Sequence, residues 1–269
     1  MRNLADLIIA WRGAGNLASG AAVRLYNAGL RKLFFMEMPQ PLAVRRNVSF
    51  SDAIYEGFCE VEGIRAERVE SAAEANKVWA KACLAVIVDP QAASLTALQP
   101  DILIEATLSK RNIGIRLGDA PLVIGLGPGF TVGKDAHYVV ETNRGLTMGR
   151  LLREGTALPD TGKPGQVMGY DQERVLRAPT SGIFKTNLNI GDPVKAGEIV
   201  GVVDNLPVIA QIDGLLRGLL RDGLGVSSGL KLGDIEPREN IKLNLVSDKG
   251  LALGGAILEA ILERELLSG

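Results

Sequence analysis

Side chains that ligate metals or act as nucleophiles are scarce in this chain. It has one histidine, His137, and two cysteines, Cys59 and Cys83, among 269 residues. The cysteines stand far apart and match no metal-ligand spacing, so they fit buried free thiols in a reducing compartment. There is no HExxH, GxSxG or Walker lysine motif, and His137 opens an expected strand with no serine or cysteine partner close in sequence. No metal site is expected, and no residue is assigned a catalytic role.

A long apolar run is missing as well. No stretch approaches the ~20 apolar residues of a membrane span, and MRNLADLIIAW carries too short an apolar run for a signal peptide. Neither sign of charge dominates: 30 basic side chains face 31 acidic ones, for a net charge of −1. Such a balance supplies no field that would recruit nucleic acid or an anionic membrane surface. The expectation is a cytoplasmic protein with neither kind of partner.

What the chain has in quantity is apolar residues, at 46%, and 32 glycines. Its length suggests two domains, each able to bury a core. Up to about residue 150, unbroken apolar runs alternate with helical patterns. The runs are DLIIA (6–10), KLFFM (32–36), LAVIV (84–88), DILIE (101–105) and LVIGL (122–126), with a short strand at HYVV. Continuous apolar strands suit a parallel sheet covered on both faces. In NLASGAAVRLYNAG, residues Ala18, Ala22, Leu25 and Tyr26 share a helix face, and Gly29 is a stop signal. In SAAEANKVWAKA, Ser71 and Glu74 have capping-box spacing. The pattern predicts a Rossmann-like, doubly wound α/β domain over 1–150.

From residue 177 glycines punctuate short β-like runs, and a repeat appears at an offset of 32. Ala178, Gly182, Gly191, Val194, Gly197 and Gly201 match Ala210, Gly214, Gly223, Val226, Gly229 and Gly233. Self-similarity of this kind implies two copies of one supersecondary unit. The APxxG…GDxVxxG spacing in RAPTSGIFKTNLNIGDPVKAGEIVG resembles the barrel-sandwich fold of biotinyl and lipoyl domains, predicted here over 177–240. Those carriers attach their cofactor to a lysine between the halves. This chain has no lysine between Lys195 and Lys231, so covalent biotin or lipoate is excluded. Residues 151–176 read as a linker. The segment 241–269 ends in an expected docking helix, capped by Ser247 or Asp248, with Ile257, Leu258, Ile261 and Leu262 as its buried stripe.

The site expectations gather at the carboxyl edge of the predicted sheet. Gly13, Gly15 and Ala18 fit G-x-G-x-x-G/A between a strand and a helix, the context in which free N–H groups cradle a phosphate. Glu37, at the end of the second strand, occupies the position of a ribose-binding carboxylate. Arg12 is available either to bind a further anionic group or to pair with Glu37, and Arg45-Arg46 add positive charge expected near that edge. A second loop, GLGPGFTVGKD, exposes backbone at Gly125, Gly127, Gly129 and Gly133, and ETNRG brings Glu141 and Arg144 towards it. The expected ligand-binding set is thus Arg12, Gly13, Gly15, Asn16, Glu37, Arg45, Arg46, Gly125, Gly127, Gly129, Glu141 and Arg144, with packing glycines and salt bridges as the structural alternative.

Four segments carry a resemblance across nearly the whole chain: RGAGNLASGAAVRLYNAG, PLAVRRNVSFSDAIYEG, VIGLGPGFTVGKDAHYVVETNRG, and RAPTSGIF through GLKLGDIEPR. The chain resembles the YqeB family of selenium-dependent molybdenum hydroxylase accessory proteins. It departs at Gly15-Asn16, where Gly-Asp is expected in many relatives. The resemblance implies a maturation factor whose partners are a molybdenum hydroxylase or other maturation proteins. The small anionic ligand it implies is the molybdenum cofactor, as a pterin or pterin dinucleotide. Two other classes stay open: an NAD(P)-dependent oxidoreductase, with Arg45 or Arg46 on a 2′-phosphate, and a non-catalytic scaffold.

Overall fold

A computed structural model describes residues 3–267. They form two compact units that are not contiguous in sequence. The first comprises Met1–Pro41, Val48–Asp160 and Leu245–Gly269; the second comprises Leu42–Asn47 and Thr161–Asn244. The expected boundaries ran in chain order. Tertiary contact instead gives six residues, 42–47, to the second unit and the C-terminal helix to the first.

The first unit is mixed α/β, built on a nine-stranded, mostly parallel sheet. Its strands in chain order are β1 (Ile8–Arg12), β2 (Lys32–Glu37), β3 (Phe58–Val61), β4 (Ile64–Val69), β5 (Leu84–Val88), β6 (Ile102–Glu105), β7 (Leu122–Leu126), β8 (Tyr138–Val140) and β9 (Leu151–Leu152). Across the sheet they lie in the order β3-β4-β5-β2-β1-β6-β7-β8-β9. The seven inner strands are parallel, and β3 and β9 pair antiparallel at the edges. All five unbroken apolar runs are strands, and β1, β2, β5, β6 and β7 are almost wholly buried. The hairpin β3–β4 was not foreseen, because its residues alternate polar with apolar around a turn on Glu62 and Gly63.

Helix α1 (Asn16–Asn27) buries Ala18, Ala22 and Leu25, and the chain leaves it through Gly29 at φ +99°. The C-terminal helix (Asp248–Leu267) packs against it. Ser247 caps that helix, its Oγ accepting from Gly250 N at 3.0 Å. The two helices meet on small residues: a Cβ on Gly20 would lie 3.0 Å from Gly250 Cα, and one on Gly254 would lie 2.9 Å from Ala21 O. Ile257 and Ile261 are buried as expected, but Leu262 is 44% exposed, because Leu253, Ala256 and Ala260 complete the stripe instead. The SAAEANKVWAKA segment forms only a 3-10 turn and a short helix, Ala75–Trp79. Glu74 accepts from Glu70 N rather than from Ser71 N, so the expected capping box does not form.

The second unit holds two four-stranded antiparallel sheets. Its strands are β10 (Val175–Arg177), β11 (Gly182–Lys185), β12 (Pro193–Val194), β13 (Ile199–Val203), β14 (Leu206–Ile209), β15 (Gly214–Leu219), β16 (Gly225–Val226) and β17 (Lys231–Glu236). The sheets run β10-β17-β15-β12 and β14-β13-β11-β16. Adding or subtracting 32 exchanges β10 with β14, β11 with β15, β12 with β16 and β13 with β17, and so turns one sheet into the other. The hydrogen bonds obey the same operation. Ala178 N donates to Leu230 O as Ala210 N does to Glu198 O, both at 2.9 Å, and Gly223 N donates to Phe184 O as Gly191 N does to Leu216 O, both at 2.8 Å. Each sheet takes two strands from each repeat, so neither repeat forms a sheet alone. The expected linker is partly structured: Leu151–Leu152 is β9 of the large sheet, and 161–176 belongs to the second unit.

Candidate functional site

The order in which the chain lays down its parallel strands reverses at β1, which has β2 on one side and β6 on the other. Loops leaving two such strands part from one another, and ligands of open α/β sheets bind in the crevice at that carboxyl edge. Here the last residues of β1 and β6, Arg12 and Glu105, are register partners. Their side chains form an ion pair, Nη1 to Oε2 at 3.4 Å, with Arg12 8% exposed and Glu105 fully buried. Arg12 also donates to the carbonyls of Pro90 (3.3 Å) and Ile113 (3.5 Å), tying two further loops to this edge. Glu105 Oε1 accepts from Thr107 N at 3.0 Å and from the Thr107 hydroxyl. Burial raises the Glu105 pKa against the opposing pull of Thr107 and Arg12.

Gly13 stands at φ +89°, and a Cβ there would lie 3.2 Å from the backbone of Ala106 and Thr107. Gly15 differs: it is the N-cap of α1 at φ −66°, it offers no side-chain cap, and the space around its missing Cβ is open. Helix α1 therefore begins at the switch point with no side-chain acceptor on its first amides. Asn16, its first residue, is half-buried beside that opening.

Glu37 is engaged differently from the expectation. Its Oε2 accepts from Ala14 N at 2.7 Å and its Oε1 from Met38 N at 2.8 Å, so the carboxylate clamps the loop's own backbone. Burial raises its pKa although both amides lower it. Arg12 pairs with Glu105, not Glu37.

The second glycine loop is packed by protein. A Cβ on Gly125 would lie 2.7 Å from the Phe130 ring, one on Gly127 2.6 Å from Thr142 Oγ1, and one on Gly129 2.5 Å from the Arg111 backbone. Only Gly133 of that loop faces open space. Glu141 is buried, accepting from Asn143 N at 2.6 Å and Leu158 N at 2.8 Å. Arg144 is exposed and pairs with Asp248 at 3.1 Å. Arg45 and Arg46 belong to the second unit, where they donate to Leu243 O (3.1 Å) and Leu219 O (3.3 Å). The structure thus brings together Arg12, Gly13, Gly15 and Asn16 at one edge, and it gives the other expected residues protein partners of their own.

Glu105 was missed, although a carboxylate closing the apolar run DILIE is a signal in itself, since such a charge is buried only when paired. His137 is structural: its Nδ1 accepts from Val123 N at 2.9 Å, and burial with nearby Arg264 lowers its pKa. Burial pushes the Cys59 thiol up to about 12 and also raises Cys83, so neither is a ready thiolate. Among the described residues there is no cluster of three or more metal-ligating side chains, and no helix is long and apolar enough to cross a membrane.

The architecture places the chain among mixed α/β proteins with a large parallel sheet and a separate antiparallel unit. No family model matches it. It is 44% identical over 256 residues, 95% of its own length, to the "Uncharacterized protein YqeB" of Escherichia coli (strain K12), which supports the YqeB resemblance. The chain spans 47% of that relative. Solved structures give fainter likenesses. A succinylglutamate desuccinylase/aspartoacylase from Rhodobacter sphaeroides is 23% identical over 25% of this chain and 23% of its own, with a TM-score of 0.22. An aspartoacylase family protein from Mesorhizobium loti is 13% identical over 85% and 84%, at 0.28. The ectoine utilization protein EutE (DoeB) from Ruegeria pomeroyi is 11% identical over 86% of each chain, at 0.29. Scores this low do not establish a shared fold.

Proposed function

We propose that the chain is a YqeB-family protein whose first unit is a Rossmann-like domain holding a phosphate-bearing small molecule at the amino end of α1. The second unit is read as a barrel-sandwich hybrid without an attachment lysine: the β13–β14 turn carries Asp204 and Asn205, and Asp204 accepts from Ile183 N at 3.0 Å. One observation carries the ligand site: a 12-residue helix opens at the switch point of a parallel sheet behind a glycine cap with unfilled space around it. Uncapped amides at a helix amino end favour an anion. Arg12 acts here as a buried tie between loops, and Gly13 lets the turn lie against β6. The family resemblance points the ligand towards a pterin dinucleotide and the role towards maturation of a molybdenum hydroxylase.

The site so drawn is narrower than the one expected from sequence. It needs neither the second glycine loop nor Arg45 and Arg46. The oxidoreductase reading is weakened because Glu37, its ribose-binding group, already holds Ala14 and Met38. Gly15→Asp tests the proposal: the backbone there tolerates a side chain, and aspartate is a good cap, so the fold persists while the carboxylate repels an anion. Thermal shifts with a pterin dinucleotide, NADH and NADPH should show stabilisation by the first alone, lost in Gly15→Asp. Stabilisation that survives the substitution removes the site. Stabilisation by NADH or NADPH instead restores the oxidoreductase reading.

A further inference from the structure

The sister sheets of the second unit differ at equivalent positions, and the difference is one of charge. β10 pairs with β17 as β14 pairs with β13, in the same register: Leu176↔Gly233 corresponds to Val208↔Gly201, and Arg177↔Lys231 to Ile209↔Ile199. Where β13 carries Ile199 and Val202, β17 carries Lys231 and Asp234. Where Leu206 opens the second repeat, Arg174 opens the first. One strand arrangement is thus built with apolar residues in one copy and charges in the other, so the fold itself does not require the charges.

Those charges converge on one carboxylate. Asp234 is 4% exposed, and three cations surround it: Lys231 at 3.4 Å, Arg174 at 3.6 Å and Arg217 at 3.8 Å. Neighbouring Glu236, fully buried, is held by Arg238 at 2.7 Å and lies 3.8 Å from Arg217 Nε, so two carboxylates face the four cations Arg174, Arg217, Lys231 and Arg238. Arg174, 5% exposed, donates from Nε to Ile235 O and from Nη1 to Gly165 O, while its buried Nη2 faces Asp234 Oδ2 at 3.6 Å, an ion pair too long for a hydrogen bond. Asp234 Oδ1, beside Val44 and Gly218, has Lys231 Nζ at 3.4 Å, again beyond good hydrogen-bond distance. Arg217 and Lys231 are partly exposed, with side chains 20% and 41% accessible. The cluster therefore has a buried floor, a reachable rim and more positive charge than Asp234 and Glu236 together neutralise. Burial lowers the pKa of both Arg174 and Lys231 despite the attraction of Asp234, and Arg217 adds to that lowering.

We propose that this cluster is an oxyanion site that takes a phosphate-class ligand, free or as a phosphate monoester, on Arg217 and Lys231 at the rim, with Arg174 adding its charge from the floor beneath. A tetrahedral dianion accepts several donors at once, whereas Asp234 as placed here leaves its three cations at 3.4–3.8 Å, beyond good hydrogen-bond distance. The site is separate in residues and in unit from the helix α1 site and does not depend on it.

The test is melting of the full chain in inorganic phosphate and in glycerol phosphate, each against chloride at equal ionic strength. At ten times the dissociation constant, phosphate should raise Tm by ~3 °C. The Arg217→Gln/Lys231→Gln double variant should melt lower in chloride, because Asp234 loses two of its cations, and should show no phosphate increment above that value, while Gly15→Asp keeps the increment. A larger response to the ester or to the free ion assigns the source. Asp234→Asn removes the competing carboxylate, so phosphate should bind at least threefold more tightly by titration. No phosphate-specific increment, an increment that survives in the double variant or vanishes in Gly15→Asp, or unchanged or weaker binding by Asp234→Asn would each overturn the proposal.

Discussion

Two glycine-rich loops leave the carboxyl edge of one sheet, and they use glycine for opposite ends. At 125–129 each glycine removes a side chain that its neighbours would strike: Phe130, Thr142 and Arg111 fill the space. At 13–16 the first glycine does the same against Ala106 and Thr107, but Gly15 leaves its space empty. Glycine in a loop is therefore no evidence of a ligand until the atom facing its missing Cβ is known. The first loop is held from below by side chains, Arg12 on Glu105 and Glu37 on Ala14. The second is packed by the side chains of Phe130 and Thr142 and by the backbone at Arg111.

That contrast can be broken at its strongest point first. Arg12→Ala leaves Glu105 buried without its cation, a change that costs about 3–5 kcal/mol when a buried pair loses one partner. Denaturant unfolding should show it, and a loss below about 1 kcal/mol would mean that Arg12 does not anchor the loop. Gly129→Ala comes next. Its φ is +104° and the new Cβ would meet backbone at 2.5 Å, so strain and overlap together should cost about 3 kcal/mol. Gly15→Ala is its control and should lie within about 0.5 kcal/mol of the parent. Similar losses at both positions would erase the distinction between the loops.

The smaller effect lies at His137, which ties the start of β8 to β7. Its folded pKa lies below the ordinary histidine value, so the unfolded chain binds its proton first as the solution is acidified. Its contribution is complete above the unfolded pKa of about 6.5 and is lost as pH falls through the folded one. His137→Ala should cost about 1 kcal/mol at pH 7.5 and should flatten that part of the stability profile below pH 6.5. An unchanged profile would place the acid sensitivity elsewhere, with Glu37 and Glu105 excluded because their raised values act in the opposite direction.

Much of the fold was legible because parallel strands are apolar on both faces and repeats leave a fixed offset. The five runs from DLIIA to LVIGL all became strands, and the offset of 32 proved to relate two sheets. The hairpin β3–β4 escaped because FCEVEGIRAERV lies at a sheet edge, where burial does not impose an apolar run. Of the site, the Gly-x-Gly turn before α1 was legible from its strand-turn-helix context. Glu105 and the cluster on Asp234 were not, since their partners lie 93 residues away in one case and across β10, β15 and β17 in the other.

Periodicity, apolar content and the repeat were enough for the sequence to determine the buried parallel strands, helix α1 and the C-terminal helix, because burial dictates their patterns, but not the edge hairpin β3–β4 or the short helix at 75–79. Which glycines face protein and which face open space was decided only by tertiary structure, as was whether Arg12 meets Glu37 or Glu105. So was the lending of residues 42–47 to the second unit. Each of these depends on which distant backbone arrives beside a given residue, and that is set by strand order rather than by neighbours in the chain.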